Sequence, residues 1–136
     1  MLYLLDTTAF SDLMRELPQL DDRLARLSPD DRIAVCTITR GEIGYGIVRL
    51  PEGKRRRELE AKAVRLLAAL PCEPIPPAAG DCYANIKLTQ QRAGLPLDEN
   101  DLWIAATAMA IGATLVSRDA DFARIDGLAY ADWSAP

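Results

Sequence analysis

Apolar residues in this chain occur in two patterns, short continuous runs and longer stretches at helical spacing, and their order predicts strands alternating with helices. Leu2–Leu5 is a short apolar run closed by Asp6, and after Thr7 and Thr8 the residues Phe10, Leu13 and Met14 stand three and four apart. That reads as a strand followed by a helix. A second run at 33–36 leads through Thr37-Ile38-Thr39 into a helix with Ile43, Ile47 and Leu50 on one face. Over 54–70, Leu59, Ala63, Leu66, Leu67 and Leu70 keep a helical period while Lys54, Arg55, Arg56, Arg57, Lys62 and Arg65 take other positions, so this is an amphipathic basic helix.

Pro71, Pro74, Pro76 and Pro77 bracket residues 72–75, which suits only an edge strand or an extended connector. Residues 78–93 read as a further helix, broken by Gly94-Leu95-Pro96. Asp98 fits an N-cap for a helix that is apolar almost all round over 102–111, as a buried helix must be. Gly112 ends it; Thr114–Val116 reads as a core strand, Ala120–Arg124 as a short helical turn and 128–130 as a last strand. Strands separated by helices imply right-handed crossovers and a mainly parallel sheet covered on both faces, an α/β fold. The chain has no internal repeat and no linker, and 136 residues suit one core.

Composition narrows the chemistry. With 49% hydrophobic and 26% charged residues the chain is that of a folded domain, not a disordered segment. No basic residue precedes the first apolar run, so no export signal is indicated and a cytoplasmic, membrane-free protein is expected. The three cysteines, Cys36, Cys72 and Cys82, are far apart and form no C-x-x-C pair, which fits three small buried thiols in a reducing compartment. Histidine is absent, so Ser-His-Asp hydrolysis, Cys-His nucleophiles and histidine-ligated zinc are excluded. Any hydrolytic chemistry falls to carboxylates.

Four acids occupy strand-exit or helix-start positions: Asp6 after the first strand, Glu42 in the first turn of the helix after the second, Asp101 in the first turn of the buried helix, and Asp119 past a core strand. In a parallel sheet such positions share the carboxyl edge, where open α/β folds bind ligands. Each acid also has an ordinary structural explanation. Thr39-x-x-Glu42 has the spacing of a capping box, Asp119 can cap the turn after it, and acids in first turns complement the helix dipole. Asp6 and Asp101 are harder to explain so, because each adjoins a segment expected to be deeply buried, with no basic residue close by in sequence. Four converging carboxylates with only oxygen donors suit Mg²⁺ or Mn²⁺, and such an ion suits phosphodiester hydrolysis.

The same residues carry a resemblance. Asp6-Thr7-Thr8, Thr39-x-x-Glu42 with Gly46, Gly94-Leu95-Pro96-Leu97 ahead of Asp101-Leu-Trp-Ile-Ala-Ala, and Leu115-Val116-Ser117-Arg118-Asp119-Ala120-Asp121-Phe122 resemble the successive motifs of PIN-domain ribonucleases. More closely, the chain resembles the VapC toxins of VapBC toxin–antitoxin pairs, in the same order and over nearly its whole length. The resemblance implies one three-layer α/β/α domain over residues 1–136 with a mainly parallel sheet of about five strands. It implies a metal-dependent endoribonuclease in which Asp6, Glu42, Asp101 and Asp119 are the catalytic and metal-binding cluster, with Asp6 central. Ser117 matches a position that helps orient the metal's surroundings, Asp121 a supporting acid, and Asn100 a water or phosphate contact. Thr7 stands in the segment where Asn often follows the first acid. A homodimer and a VapB-like antitoxin partner are implied with them.

The net charge of −4 looks wrong for an RNA enzyme until the four site acids are set apart from the twenty, which leaves sixteen against sixteen basic residues. Local basic patches then decide RNA docking. The run Lys54, Arg55, Arg56 and Arg57 is the obvious patch, although charge runs at helix starts commonly just meet water, and Arg40, Arg49 and Arg118 lie nearer the acids in sequence. The competing readings are a PIN nuclease of RNA maturation without an antitoxin, a non-catalytic acidic metal-binding module, and an aspartyl phosphatase. The last is disfavoured because Asp6-Thr7-Thr8 lacks a second acid two residues on.

Overall fold

The structure, a computed structural model, describes residues 1–134; the last two positions of the expected domain lie outside the described residues. Strands β1 (Leu2–Leu5), β2 (Arg32–Cys36), β3 (Cys72–Glu73), β4 (Thr114–Val116) and β5 (Tyr130–Ala131) form one sheet in the order β3-β2-β1-β4-β5. Every pairing is parallel, with Leu4 opposite both Ala34 and Leu115. Since successive strand residues point to opposite faces, Leu4 and Leu115 enter one core while Leu5, Val35 and Val116 enter the other. Near-continuous apolar strands are thus explained by burial on both sides.

Helices α1 (Thr7–Met14), α2 (Pro18–Ala25), α3 (Thr37–Val48) and α4 (Lys54–Ala69) lie between β1 and β3 in the chain, and α5 (Pro77–Arg92) and α6 (Glu99–Ala110) between β3 and β4. Phe10, Met14, Ile43, Ile47 and Ala63 fill the core on one face, with Leu59, Leu66 and Leu67 of α4 packed against it. The other core holds Ala79 and Ile86 of α5 and the buried row Leu102, Ile104, Ala105, Ala106 and Ala108 of α6. Small side chains let α6 sit close to the sheet and to α5, across which Tyr83 and Trp103 stack with ring centroids 4.1 Å apart. Gly112, at φ 69°, turns the chain from α6 straight into β4, so α6 runs back from the carboxyl edge and its first turn lies there. Among the described residues no helix is long and apolar enough to cross a membrane.

Three expectations need correction. Helix α2 is absent from the sequence reading because it buries only Leu20, too thin a pattern to register; Pro18 at its start is the local signal. The last strand is Tyr130–Ala131, later than the expected 128–130, because Leu128 still belongs to the turn and its amide bonds to the carbonyl of Ile125. Of the cysteines only Cys36 is buried; Cys72, on the short edge strand, is exposed, Cys82 is partly exposed, and all three are free thiols.

Candidate functional site

Asp6 is the first residue after β1, and its amide still bonds to the Val116 carbonyl of β4 at 3.0 Å. The side chain is buried, with 2% exposure. Its Oδ1 accepts from the Thr8 hydroxyl and the Ala9 amide, both at 2.8 Å, and its Oδ2 accepts from the Ser117 hydroxyl at 2.5 Å. Three donors hold the charged form, yet burial outweighs them and, with Asp119 adding repulsion, keeps the carboxyl above the ordinary aspartate range.

Ser117 ties two acids together. Buried at the end of β4, it donates to Asp6 and accepts from the Asp119 amide at 3.0 Å. Asp119 in turn accepts from the Asp121 amide at 2.9 Å and caps the 3-10 turn Ala120–Arg124, so the capping role expected of it is real. Capping engages Oδ1.

Glu42 departs from expectation. Helix α3 starts at Thr37 with Cys36 as its cap, so Glu42 stands in the second turn rather than the first, and Thr39 is a wholly buried hydroxyl within the helix that forms no capping box. The Glu42 side chain instead crosses to α1, where Thr7 Oγ1 donates to its Oε1 at 2.5 Å, and to α6, where Asn100 Nδ2 donates to its Oε2 at 3.3 Å. Asp101, in the first turn of α6, has its carboxyl pushed up to about 6 by burial and then by the negative charges of Asp98, Asp119, Glu42 and Asp6. The four predicted acids therefore come together from four separate points of the chain. Among the described residues no three of them already stand close enough to enclose an ion. What fits a hard cation such as Mg²⁺ or Mn²⁺ is the chemistry of the donors, which are all carboxylate and hydroxyl oxygens.

The supporting residues divide. Thr7, Ser117 and Asn100 touch the acids directly. Asp121 contributes only its amide, since its carboxylate is exposed and pairs with Arg124 at 3.4 Å. Thr8 was not singled out from the sequence, although a hydroxyl two residues after a strand-end aspartate is a recognisable local bonding pattern.

The basic candidates divide too. Arg118 Nε donates to the buried carboxylate of Asp12 at 2.9 Å, bracing the loop between Ser117 and Asp119 against α1. Arg56 is bound to Glu60 and to the carbonyls of Val48 and Leu50, and Lys54 faces Glu58. Arg40 and Arg57 are exposed. Arg49 lines a cleft of about 570 Å³ together with Thr7, Glu42, Tyr45 and Asn100. Arg55 lines a neighbouring cleft of about 430 Å³ that shares Thr7 and Glu42 and adds Arg15 and Lys62, two cations the sequence did not suggest.

Comparison with known proteins follows the same lines. The profile of the family described as PIN domain matches residues 3–128. The chain is 33% identical over 138 residues to Ribonuclease VapC1 of Haemophilus influenzae, a match covering 98% of this chain and 99% of that protein. Among solved structures it is similar to VapBC-1 from nontypeable Haemophilus influenzae, at 26% identity and a TM-score of 0.89 over 99% of this chain and 100% of that one. VapBC2 from Rickettsia felis, bound to a DNA fragment from its promoter, is similar with the same identity and TM-score over 98% and 99%.

Proposed function

This chain belongs to the PIN-domain family, and within it to the VapC ribonucleases, and from that premise we propose that it is an Mg²⁺- or Mn²⁺-dependent endoribonuclease and the toxin of a toxin–antitoxin pair. The observation that carries the reading is the convergence of Asp6, Glu42, Asp101 and Asp119 at one sheet edge, with the charge of the other three felt at Asp101.

Asp6, Asp101 and Asp119, with Glu42, would hold the cation, which when bound lowers the pKa of a water and offsets charge on a phosphoryl oxygen. The chain's own residues do the rest. Ser117, Thr8 and the Ala9 amide fix the orientation of Asp6. Thr7 and Asn100 fix Glu42 from two other helices, so the acids are positioned by α1, α3, α6 and β4 together. The water oxygen gives up a proton to solvent as it bonds to phosphorus, the bond to the 3′ oxygen breaks, and that oxygen takes up a proton from solvent and leaves as a hydroxyl. The products are a 5′-phosphate and a 3′-hydroxyl.

The test is incubation of the purified chain with single-stranded RNA in Mn²⁺ and in chelator, with end-group analysis. Metal-dependent cleavage leaving 5′-phosphates is expected. A 2′,3′-cyclic phosphate, or cleavage that survives chelation, would overturn the mechanism. For partners, a VapB-like antitoxin is proposed on the full-length similarity to VapC1 and to the two VapBC structures. A homodimer and a cytoplasmic location belong to the same proposal.

A further inference from the structure

The cleft of about 570 Å³ that Glu42 lines extends past it along α3 to side chains that hydrolysis leaves unused. On α3 the residues Ile38, Glu42, Tyr45 and Arg49 follow at spacings of four, three and four, so they form one stripe, and all four line the cleft. Tyr45 is 66% exposed, and the Arg49 guanidinium carbon lies 5.9 Å from its ring centroid. Among the described residues the aromatic pairs are Tyr3–Trp133 and Tyr83–Trp103, so the ring of Tyr45 meets no other ring.

Gly41 and Gly46 line the cleft too, and a Cβ built on either would meet nothing within 4 Å. Glycine inside a helix is destabilising relative to alanine, and packing within the chain does not require it at either position. What the two glycines keep is open space beside Tyr45. Three residues of helix advance about 4.5 Å, so Tyr45 follows Glu42 by about one turn on the same stripe and both line the cleft.

We propose that Tyr45 is the stacking platform for a nucleobase of single-stranded RNA next to the scissile phosphate, with Arg49 beside it as the contact for that nucleotide's phosphate. An aromatic face accepts any base, and a guanidinium at its edge adds charge complementarity to the backbone. The mixture of carboxylates, an aromatic ring and a cation in one open cleft suits a nucleotide, which presents a phosphate and a flat base together. The proposal rests on the reading that the acids hydrolyse RNA.

The experiment compares the full chain with Tyr45→Phe, Tyr45→Trp and Tyr45→Ala, in Mn²⁺, on one single-stranded RNA and on versions carrying an abasic residue at each position around the cut. Tyr45→Ala is expected to raise KM about ten-fold with little change in kcat, and the Phe and Trp variants to stay within about two-fold of the parent. One abasic position should raise the parent's KM and leave that of Tyr45→Ala unchanged, since the two changes remove the same contact. If the parent cleaves and Tyr45→Ala is indistinguishable from it, the platform is wrong and the ribonuclease reading stands. If the parent cleaves no RNA, the ribonuclease reading falls first and the platform with it. A loss in Tyr45→Ala that accompanies a change of mass by light scattering, or that is insensitive to the abasic positions, assigns the ring to an interface between copies and overturns the proposal.

Discussion

At the scale of single residues, Asp101 is the carboxyl whose setting is least comfortable. Its pKa near 6, against the ordinary 3.8, means that the folded chain binds this proton more tightly than the unfolded chain does. Stability from this group is therefore full below about pH 4, falls as pH rises toward about 6, and is absent above it. Asp101→Asn keeps the shape and removes the charge. Without metal at pH 7 the variant should be more stable than the parent by on the order of 1 kcal/mol, allowing for screening at a partly exposed group. It should also lack the part of the parent's stability loss that falls between about pH 4 and about pH 6. With Mn²⁺ at a hundredfold excess over its Kd the parent should gain about 2.7 kcal/mol and the variant much less. Parallel thermal melts in chelator and in Mn²⁺ measure both, and equal metal-induced gains would remove Asp101 from the site.

At the scale of elements, α3 is the one built against its own propensity. It carries Gly41, Gly44 and Gly46 within twelve residues, none of them with a positive φ. Gly41 and Gly46 line the cleft, whereas Gly44 does not, and a Cβ there would also meet nothing within 4 Å. Gly44→Ala should therefore stabilise the chain by about 0.5–1 kcal/mol through helix propensity alone. RNA cleavage should be unchanged in it. Denaturant titration checks the first statement, and a loss of stability would mean that α3 needs a glycine there for packing against a surface outside the chain. The tie from Glu42 on α3 to Thr7 on α1 and Asn100 on α6 is likewise a property of elements, because no local segment contains more than one of the three.

At the scale of the whole molecule, net charge and site charge act in opposite directions. A chain of net charge −4 with its acids gathered at one edge repels RNA there unless cations and basic groups offset the field. Arg15, Arg55 and Lys62 around one cleft, and Arg49 in the other, supply that offset next to Glu42. The same acidic edge, flanked by apolar floor residues such as Ile43, Ile47 and Leu59, is suited to a basic amphipathic segment of an inhibitor. Expression of the chain alone should arrest growth, and co-expression of the neighbouring antitoxin gene should relieve the arrest and co-purify. Harmless expression of a catalytically active chain would favour a role in RNA maturation instead.

The sequence by itself determined the strand and helix order apart from α2, because apolar run length and period are local quantities: β1, β2, β4 and α4 through α6 lie where the pattern predicts them. It also determined which chemistry was available, since a chain without histidine must use its carboxylates. Asp6, Asp101 and Asp119 were legible as residues at strand ends and a helix start, while Glu42 stands one turn further into its helix than the pattern suggests. Tertiary structure alone decided what each acid touches. The spacing Thr39-x-x-Glu42 satisfies a capping box on paper, but the helix begins two residues before Thr39, so Thr39 enters the core and Glu42 is released toward Thr7 and Asn100. Arg118 reads as a free cation beside the site, yet buried Asp12, 106 residues away along the chain, holds it. Partners so distant in sequence leave no periodic signal in either segment, because a hydrogen bond between two side chains depends on where the sheet and helices place them and not on the residues around each.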